Sequence, residues 1–507
     1  MRAGRRGLTG GLAAVLAATG MVVAPSAVQA EPTRSTIDWQ PCPEAEEVDC
    51  ATIPVPLNWE DPDGPTIEIG LARREATDQE RRLGSILMDP GGPGGSGVAS
   101  VMSRDVFTPE VTARFDVVGF DPRGINTSTQ LRCDLDLSNR SLDARHPSSQ
   151  AEFRELVRLN EQLHDSCREH SGELVDHVGN QNTVEDMEAI RVALGEGKLN
   201  YVGYSYGSLM GQQYAERYPD RIRAMVLDGN MDHSMRSAWD FMRTETEPVE
   251  RNFVAFAEWC DTTETCALYG QDTKAVYADL RKRAKAGDLV DPETGEPVDF
   301  YALSRIAFGA NTPAAWSAVA ASLAALRDGT GTVSSLATAA ADQAVSNPYP
   351  PIWCSDWDFD VVNYAHYAFL RAMLAKKFPN VQWSPYVDHA MTCAGDPVRT
   401  TNPQRPLDID GAPPLVMIGN VHDPATVYRW NVTAARQSGA HLITYEGWGH
   451  TAYGNDGPSE CVNDAVDAYL IELTVPERGL TCAATEEPAA ADTRQRQLSG
   501  VGPYLAG

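Results

Sequence analysis

Basic residues are scarce in this chain: 42 lysines and arginines stand against 70 aspartates and glutamates, a formal net charge of −28. A field of that sign repels nucleic acid and anionic membranes and attracts cationic ligands. Nucleic-acid partners are therefore not expected, although the same acidity also serves solubility alone. No C-x-x-C and no H-E-x-x-H occurs, which argues against a zinc site. No metal and no cofactor is expected. Past residue 30 no apolar run approaches the roughly 20 residues that a membrane-crossing helix needs, so no membrane anchor is expected. No internal repeat is found. One further lack is regional: from about 231 to 400 the chain shows no strand-like runs.

What is present begins with residues 1–30. Arg2, Arg5 and Arg6 precede an apolar run from about Leu8 to Val23, and Val28-Gln29-Ala30 gives an A-x-A-like cleavage site. This pattern predicts a signal peptide, a mature chain starting near Glu31, and a secreted protein. No cysteine lies near the cleavage point, which argues against a lipid anchor there. The Arg5-Arg6 pair leaves Sec and twin-arginine export both open. Ten cysteines in an exported chain predict disulfides. Pairing sequence neighbours gives Cys42 with Cys50, Cys133 with Cys167, Cys260 with Cys266, Cys354 with Cys393, and Cys461 with Cys482. Spacing alone does not fix that connectivity.

Apolar, β-branched runs then alternate with helical patterns. "GSILMDP", "RFDVVGFDP", "KLNYVGY" and "IRAMVLDG" read as buried strands. Between them "TVEDMEAIRVALG" reads as a helix with Thr183 as its cap and Asp186 three residues on. Short buried strands with helices between them predict a mostly parallel central sheet covered on both faces. Residues 31–230 form the first part of this core. Ala-rich stretches such as "AWSAVAASLAALR" make 231–400 a helical cap inserted into it. The sheet pattern resumes over 401–482 with "PPLVMIGNVHDPAT", "HLITYEGWGH" and a closing helix, and 483–507 reads as a polar tail.

Within that frame Gly203-Tyr204-Ser205-Tyr206-Gly207 fits G-x-S-x-G at a strand-to-helix turn. A serine on so sharp a turn needs small residues two positions away on each side. The turn would lift its hydroxyl above the sheet. The helix that follows would offer a free N–H and its positive dipole end to a developing oxyanion. Ser208, one turn further on, reads as structural. The partners of such a serine follow in the order Asp, His. Asp423 comes after the strand "PLVMIGN", and His450 after "HLITYEGWG". His422 is a rival base, but the base should follow the last strand. "DPGGPGGSG" supplies a loop for the second oxyanion donor, with Gly92 chosen beside the Tyr206 N–H. The same loop matches G-x-G-x-x-G, with Asp121 ending the next strand, a dinucleotide fingerprint. Pro93 has no N–H to donate, no clear helix opens at Gly97, and an exported protein meets little dinucleotide. No lysine follows these glycines, which excludes a P-loop.

"DPGGPGGSG", "FDPRG", "LNYVGYSYGSLMGQQYAERYPDRIRAMVLDG" and "HDPAT…GWGH" together resemble the secreted tripeptidyl aminopeptidases of actinomycetes, over roughly residues 35 to 485. These are α/β-hydrolases related to proline iminopeptidases. The resemblance implies the α/β-hydrolase fold with a helical cap and a triad of Ser205, Asp423 and His450. It also implies an oxyanion hole from the Gly91-Gly92 turn and Tyr206. The implied activity is release of short peptides, tripeptides by resemblance, from free peptide or protein N-termini through an acyl-enzyme. A proline iminopeptidase-like aminopeptidase, or a carboxylesterase or lipase on the same triad, is the alternative, and a binding protein on an inactive hydrolase fold is a third reading. Two loop positions depart from the family: Asn126-Thr127 after "FDPRGI", and Val427 after Thr426. An N-terminal ammonium needs a carboxylate acceptor. Glu247, Glu250 and Asp356 in the cap are the candidates. Oligomeric state is not legible.

Overall fold

In a computed structural model, the described residues are 37–331, 333 and 344–486. The expected signal peptide and most of the polar tail lie outside them. Among the described residues twelve strands occur: β1 (Gln40–Cys42), β2 (Ala45–Pro56), β3 (Thr66–Arg74), β4 (Gly84–Asp89), β5 (Phe115–Phe120), β6 (Arg132–Asp134), β7 (Leu199–Tyr204), β8 (Ile222–Asp228), β9 (Ala344–Ser346), β10 (Val416–His422), β11 (His441–Trp448) and β12 (Thr481–Cys482). Ten form one sheet in the order β1-β2-β3-β5-β4-β7-β8-β10-β11-β12. The ladders from β5 through β12 are parallel, and those joining β1, β2, β3 and β5 are antiparallel.

The parallel strands are apolar on both faces because both faces are covered. Every residue of β4 and β5 is buried. Leu87, Tyr201, Leu227 and Met417 enter one apolar layer, while their chain neighbours Ile86, Val202, Val226 and Val416 enter the other. The first layer also takes in Phe241, Phe253, Trp353 and Trp383 from the segment between β8 and β10, so this helical cap shares one core with the sheet.

That segment carries the helices Ala238–Thr262, Thr273–Ala286, Phe300–Phe308, Trp316–Asp328, Tyr349–Asp356 and Tyr364–Lys377. It also holds one strand absent from the sequence reading: β9 pairs antiparallel with β6 in a separate two-stranded sheet. A three-residue strand carries too little alternation to be read from sequence. Five disulfides join Cys42–Cys50, Cys133–Cys167, Cys260–Cys266, Cys354–Cys393 and Cys461–Cys482. No helix among the described residues is long and apolar enough to cross a membrane.

Two local expectations are corrected. Thr183 does not cap a helix, because the helix starts at Asn180, with Gly179 before it. Its first free N–H, that of Asn180, is taken by the carboxylate of Asp356 at 3.2 and 3.3 Å, a cap supplied from 176 residues away. Asp186 instead forms a fully buried ion pair with Arg123 at 2.6 and 2.7 Å. Trp59 donates to the same carboxylate at 2.9 Å. The rest of the Arg123 guanidinium is spent on the carbonyls of Pro56, Leu57 and His177. The second correction is at Gly97: a helix, Gly97–Ser103, does open there, capped by Ser96. It is seven residues long, and Gly97 lies hard against β5, since a Cβ there would fall 2.3 Å from the Phe120 carbonyl. Asp121 spends its carboxylate on Thr127 in its own loop and on Ser96 and Val98 at the start of that helix.

Candidate active site

β7 ends at Tyr204, and the helix Tyr206–Arg217 starts one residue after Ser205. Ser205 alone makes the turn, at φ +54° and ψ −120°, a region that non-glycine residues occupy only when the surroundings impose it. The surroundings are visible. Its N–H donates to the Asp228 carbonyl at 2.9 Å. Its carbonyl accepts from Ser208 Oγ at 2.6 Å, and Ser208 in turn accepts the Met231 N–H. Ser208 thus braces the turn. The flanking glycines are required by contact: a Cβ on Gly203 would sit 2.4 Å from the Gly207 carbonyl, and one on Gly207 would sit 2.8 Å from Asp89.

The Gly-rich loop after β4 reaches the same turn. Gly91 takes φ +92°, and a Cβ there would lie 2.4 Å from the Tyr204 carbonyl, 2.8 Å from the Tyr206 nitrogen and 2.9 Å from Ser205 Cβ. Asp89 fixes this approach by accepting the Gly91 N–H at 2.8 Å. Burial pushes the Asp89 carboxyl well above its ordinary range. Among the described residues, no protein acceptor takes the N–H of Gly92 or of Tyr206. Tyr206 follows Ser205 in the chain and Gly92 follows the Gly91 that packs on the same turn, so both donors keep their bonding capacity near the elbow.

Asp423 and His450 come together from the ends of β10 and β11. His450 Nδ1 lies 2.9 Å from Asp423 Oδ2, and the carboxylate is fully buried. Its other oxygen accepts the Ala425 and Thr426 N–H groups at 2.7 and 3.0 Å, and Thr426 Oγ1 donates to Oδ2 at 2.8 Å. Burial works against the charge on Asp423, but His450 and these donors outweigh it and hold its pKa below the usual value. His450 is moved the other way: burial opposes its protonation, yet Asp423 and then Asp228 raise its pKa. The imidazole Cε1 lies over Gly229, where a Cβ would come within 3.1 Å of it. Ser205 and His450 therefore both lie against the 228–229 turn. His422 does something else. It stacks on Trp448 with centroids 3.9 Å apart, bonds Asn252 at 2.8 Å, and is pushed down to about 4 by burial and by Arg251.

The three cap carboxylates all have partners. Glu250 accepts from Asn380 N and Nδ2 and from Val381 N, so it ties two cap segments together. Asp356, fully buried, accepts from Tyr206 Oη, from Asn402 at 2.8 Å and from the Asn180 N–H. Burial pushes its carboxyl up to about 6. Glu247 is half exposed and pairs with Arg243 at 3.4 Å and Arg429 at 3.9 Å. Glu245 went unnoticed in the sequence. It lies on the same helix, Ala238–Thr262, and is 1% exposed, with no hydrogen-bond partner for Oε2. Burial, and then the charge of Asp423, push it well above the ordinary carboxyl range. Seven residues on, on the same helical face, Asn252 bonds the His422 carbonyl, so this face looks onto the end of β10. The available signal was the i, i+7 spacing of two polar residues in an otherwise apolar stripe.

Residues 84–281 match the alpha/beta hydrolase fold family, and residues 379–482 match the TAP-like protein family. The chain is 30% identical to serine protease Hip1 of Mycobacterium tuberculosis, over 93% of this chain and 96% of that one. It is 30% identical to a tripeptidyl aminopeptidase of Streptomyces coelicolor, over 90% of this chain and 88% of the relative. A carboxylesterase B of Mycobacterium tuberculosis is 31% identical over 86% of each chain. The solved structure of a proline iminopeptidase from Mycobacterium smegmatis aligns over 83% of this chain and 98% of its own, at 14% identity and a TM-score of 0.36.

Proposed function

The chain belongs to the α/β-hydrolase family of serine peptidases with a TAP-like C-terminal part, and on that premise we propose that it is a secreted exopeptidase releasing short peptides, tripeptides by kinship, from free N-termini. The observation that carries the chemistry is the convergence of the strained Ser205 turn with the buried Asp423–His450 pair. Ser205 Oγ attacks the scissile carbonyl carbon and passes its proton to His450 Nε2. Asp423 holds the imidazole with its proton on Nδ1 and stabilises the imidazolium. The oxyanion settles between the Gly92 and Tyr206 N–H groups. His450 then protonates the leaving amine as the C–N bond breaks, leaving an ester on Ser205. Water, deprotonated by the same imidazole, hydrolyses that ester and frees the enzyme.

Reading a free N-terminus needs a carboxylate whose charge is not already spent. Glu247, Glu250 and Asp356 are each engaged by protein groups, which leaves Glu245 as the acceptor supported best. A carboxylate buried without a partner costs several kcal/mol to ionise, and a substrate ammonium would supply the missing partner. The overall acidity favours the approach of such a cation.

The test is a panel of chromogenic amides of one, two and three residues, each with a free and an acylated N-terminus. Cleavage of free tripeptide amides with loss of activity on acylation supports the reading. Equal turnover of the acylated forms, together with fast cleavage of simple acyl esters, makes it an esterase, the activity named for one of its relatives. A strong preference for single prolyl amides makes it iminopeptidase-like.

A further inference from the structure

The loop that presents the base is held in an unfavourable conformation. Gly449 takes φ +83° and Thr451 φ +66°, the latter a β-branched residue in left-handed backbone. Such a loop keeps its shape only if other groups over-determine it. Two side chains from adjacent strands do so. Asn420, on β10, donates to the carbonyls of Gly449 and Thr451 at 3.1 and 2.9 Å. Asp228, the last residue of β8, accepts the N–H groups of Ala452 and Tyr453 on Oδ2 at 2.7 and 2.8 Å. The main chain of Asp228 makes the other contact that matters here, accepting the Ser205 N–H at 2.9 Å. In register it sits between Tyr204 of β7 and Ile418 of β10.

We propose that Asp228 is a positioning residue for the reaction: its main chain holds the Ser205 turn and its carboxylate holds the His450 loop, so one residue couples the two and sets a second acidic group facing His450. The inference rests on Ser205 and His450 being the reacting pair. Asp228 is fully buried, and its Oδ1 has no hydrogen-bond partner. The titratable groups facing it are His450 from the loop, Asp423 from the end of β10, and Tyr204 from the end of β7. Burial pushes the Asp228 carboxyl up to about 7, against the pull of the two N–H donors and of His450. When ionised, it favours the imidazolium, so it moves the acid limb of the pH–rate profile upward.

Two variants separate position from charge. Asp228→Asn keeps an oxygen for the Ala452 and Tyr453 N–H groups and loses the charge. Its kcat should stay within about tenfold of wild type while the acid limb of kcat/KM moves down by about half a pH unit or more. Asp228→Ala loses both, and kcat should fall by about 100-fold with KM nearly unchanged, the cost of a misplaced base. Asn420→Ala is the comparison: it frees the Gly449 and Thr451 carbonyls, so kcat falls without the charge-driven shift of the limb. An Asp228→Asn limb that stays in place overturns the proposal. So does an Asp228→Ala variant with wild-type kcat, and so does a change confined to the thermal midpoint. If Ser205→Ala retains turnover, the underlying assignment fails. If that variant is dead while both Asp228 variants behave as wild type, only this inference fails.

Discussion

Replacing Asp423 by asparagine should silence the enzyme without disturbing its fold, and the hydrogen bonds say why. Asp423 Oδ1 accepts two main-chain N–H groups, those of Ala425 and Thr426, while Oδ2 faces His450 Nδ1 and the Thr426 hydroxyl. An amide in this place keeps its oxygen toward the two N–H donors, because the other orientation sets NH2 against both. The NH2 group then points at His450 Nδ1. The imidazole must answer by moving its proton to Nε2, the atom that has to take the proton of Ser205. Loss of the correct tautomer at such a site lowers kcat by roughly 10⁴, which corresponds to about 5.4 kcal/mol of barrier. KM should change little. The residual activity should also show a shifted pH profile. Asp423 and Asp228 hold the His450 pKa above its ordinary value. Activity needs the neutral imidazole, so removing one of those charges moves the acid limb to lower pH. Steady-state kinetics on a free tripeptide amide from pH 5 to 9, with circular dichroism as the fold control, measures both effects. A folded variant retaining about a tenth or more of wild-type kcat refutes the reasoning, because no change of tautomer leaves that much.

Gly91→Ala should lower kcat by about 100-fold or more while the protein stays folded, since the new Cβ meets main-chain atoms of 204 and 206 that cannot step aside, and one oxyanion donor is worth that much; wild-type kinetics count against the loop's placement. Glu245→Gln should raise KM for free tripeptide amides by about 30-fold or more and leave acylated esters untouched, because an ammonium then meets an amide in a dry site. An unchanged ratio between the two substrate classes removes Glu245 from amine recognition. Asp186→Asn should destabilise the fold by about 3–5 kcal/mol, as breaking one side of a buried ion pair does, read as a lowered midpoint in guanidinium. A midpoint within error of wild type shows that Arg123 finds another partner.

Much of this site could be read from the chain. The elbow and the Gly-rich loop are local in sequence, and Ser205, the glycines, Asp423 and His450 each follow closely on a short strand. The buried strands were legible for the same reason: β4 and β5 are buried throughout and mostly apolar because both faces are covered. The failures share a different cause. Asn180 is capped by Asp356 and not by its own neighbours, so a capping motif at Thr183 looked plausible and was wrong. Glu250 and Asp356 looked free because their partners, Asn380, Val381, Tyr206 and Asn402, lie 46 to 150 residues away. Glu245 looked like one more acid in "TETEP", since nothing local reveals that it is buried. Long-range satisfaction of polar groups is what the linear pattern does not carry.

The proposed chemistry depends first on Ser205 as the nucleophile. Treating the protein with a serine-directed fluorophosphonate and mapping the adduct by peptide mass spectrometry tests it in one step. The expected result is a single adduct on the peptide containing Ser205, loss of activity in proportion to labelling, and neither labelling nor turnover in Ser205→Ala. An adduct on another serine, or a folded Ser205→Ala variant that still cleaves the tripeptide amide, contradicts it.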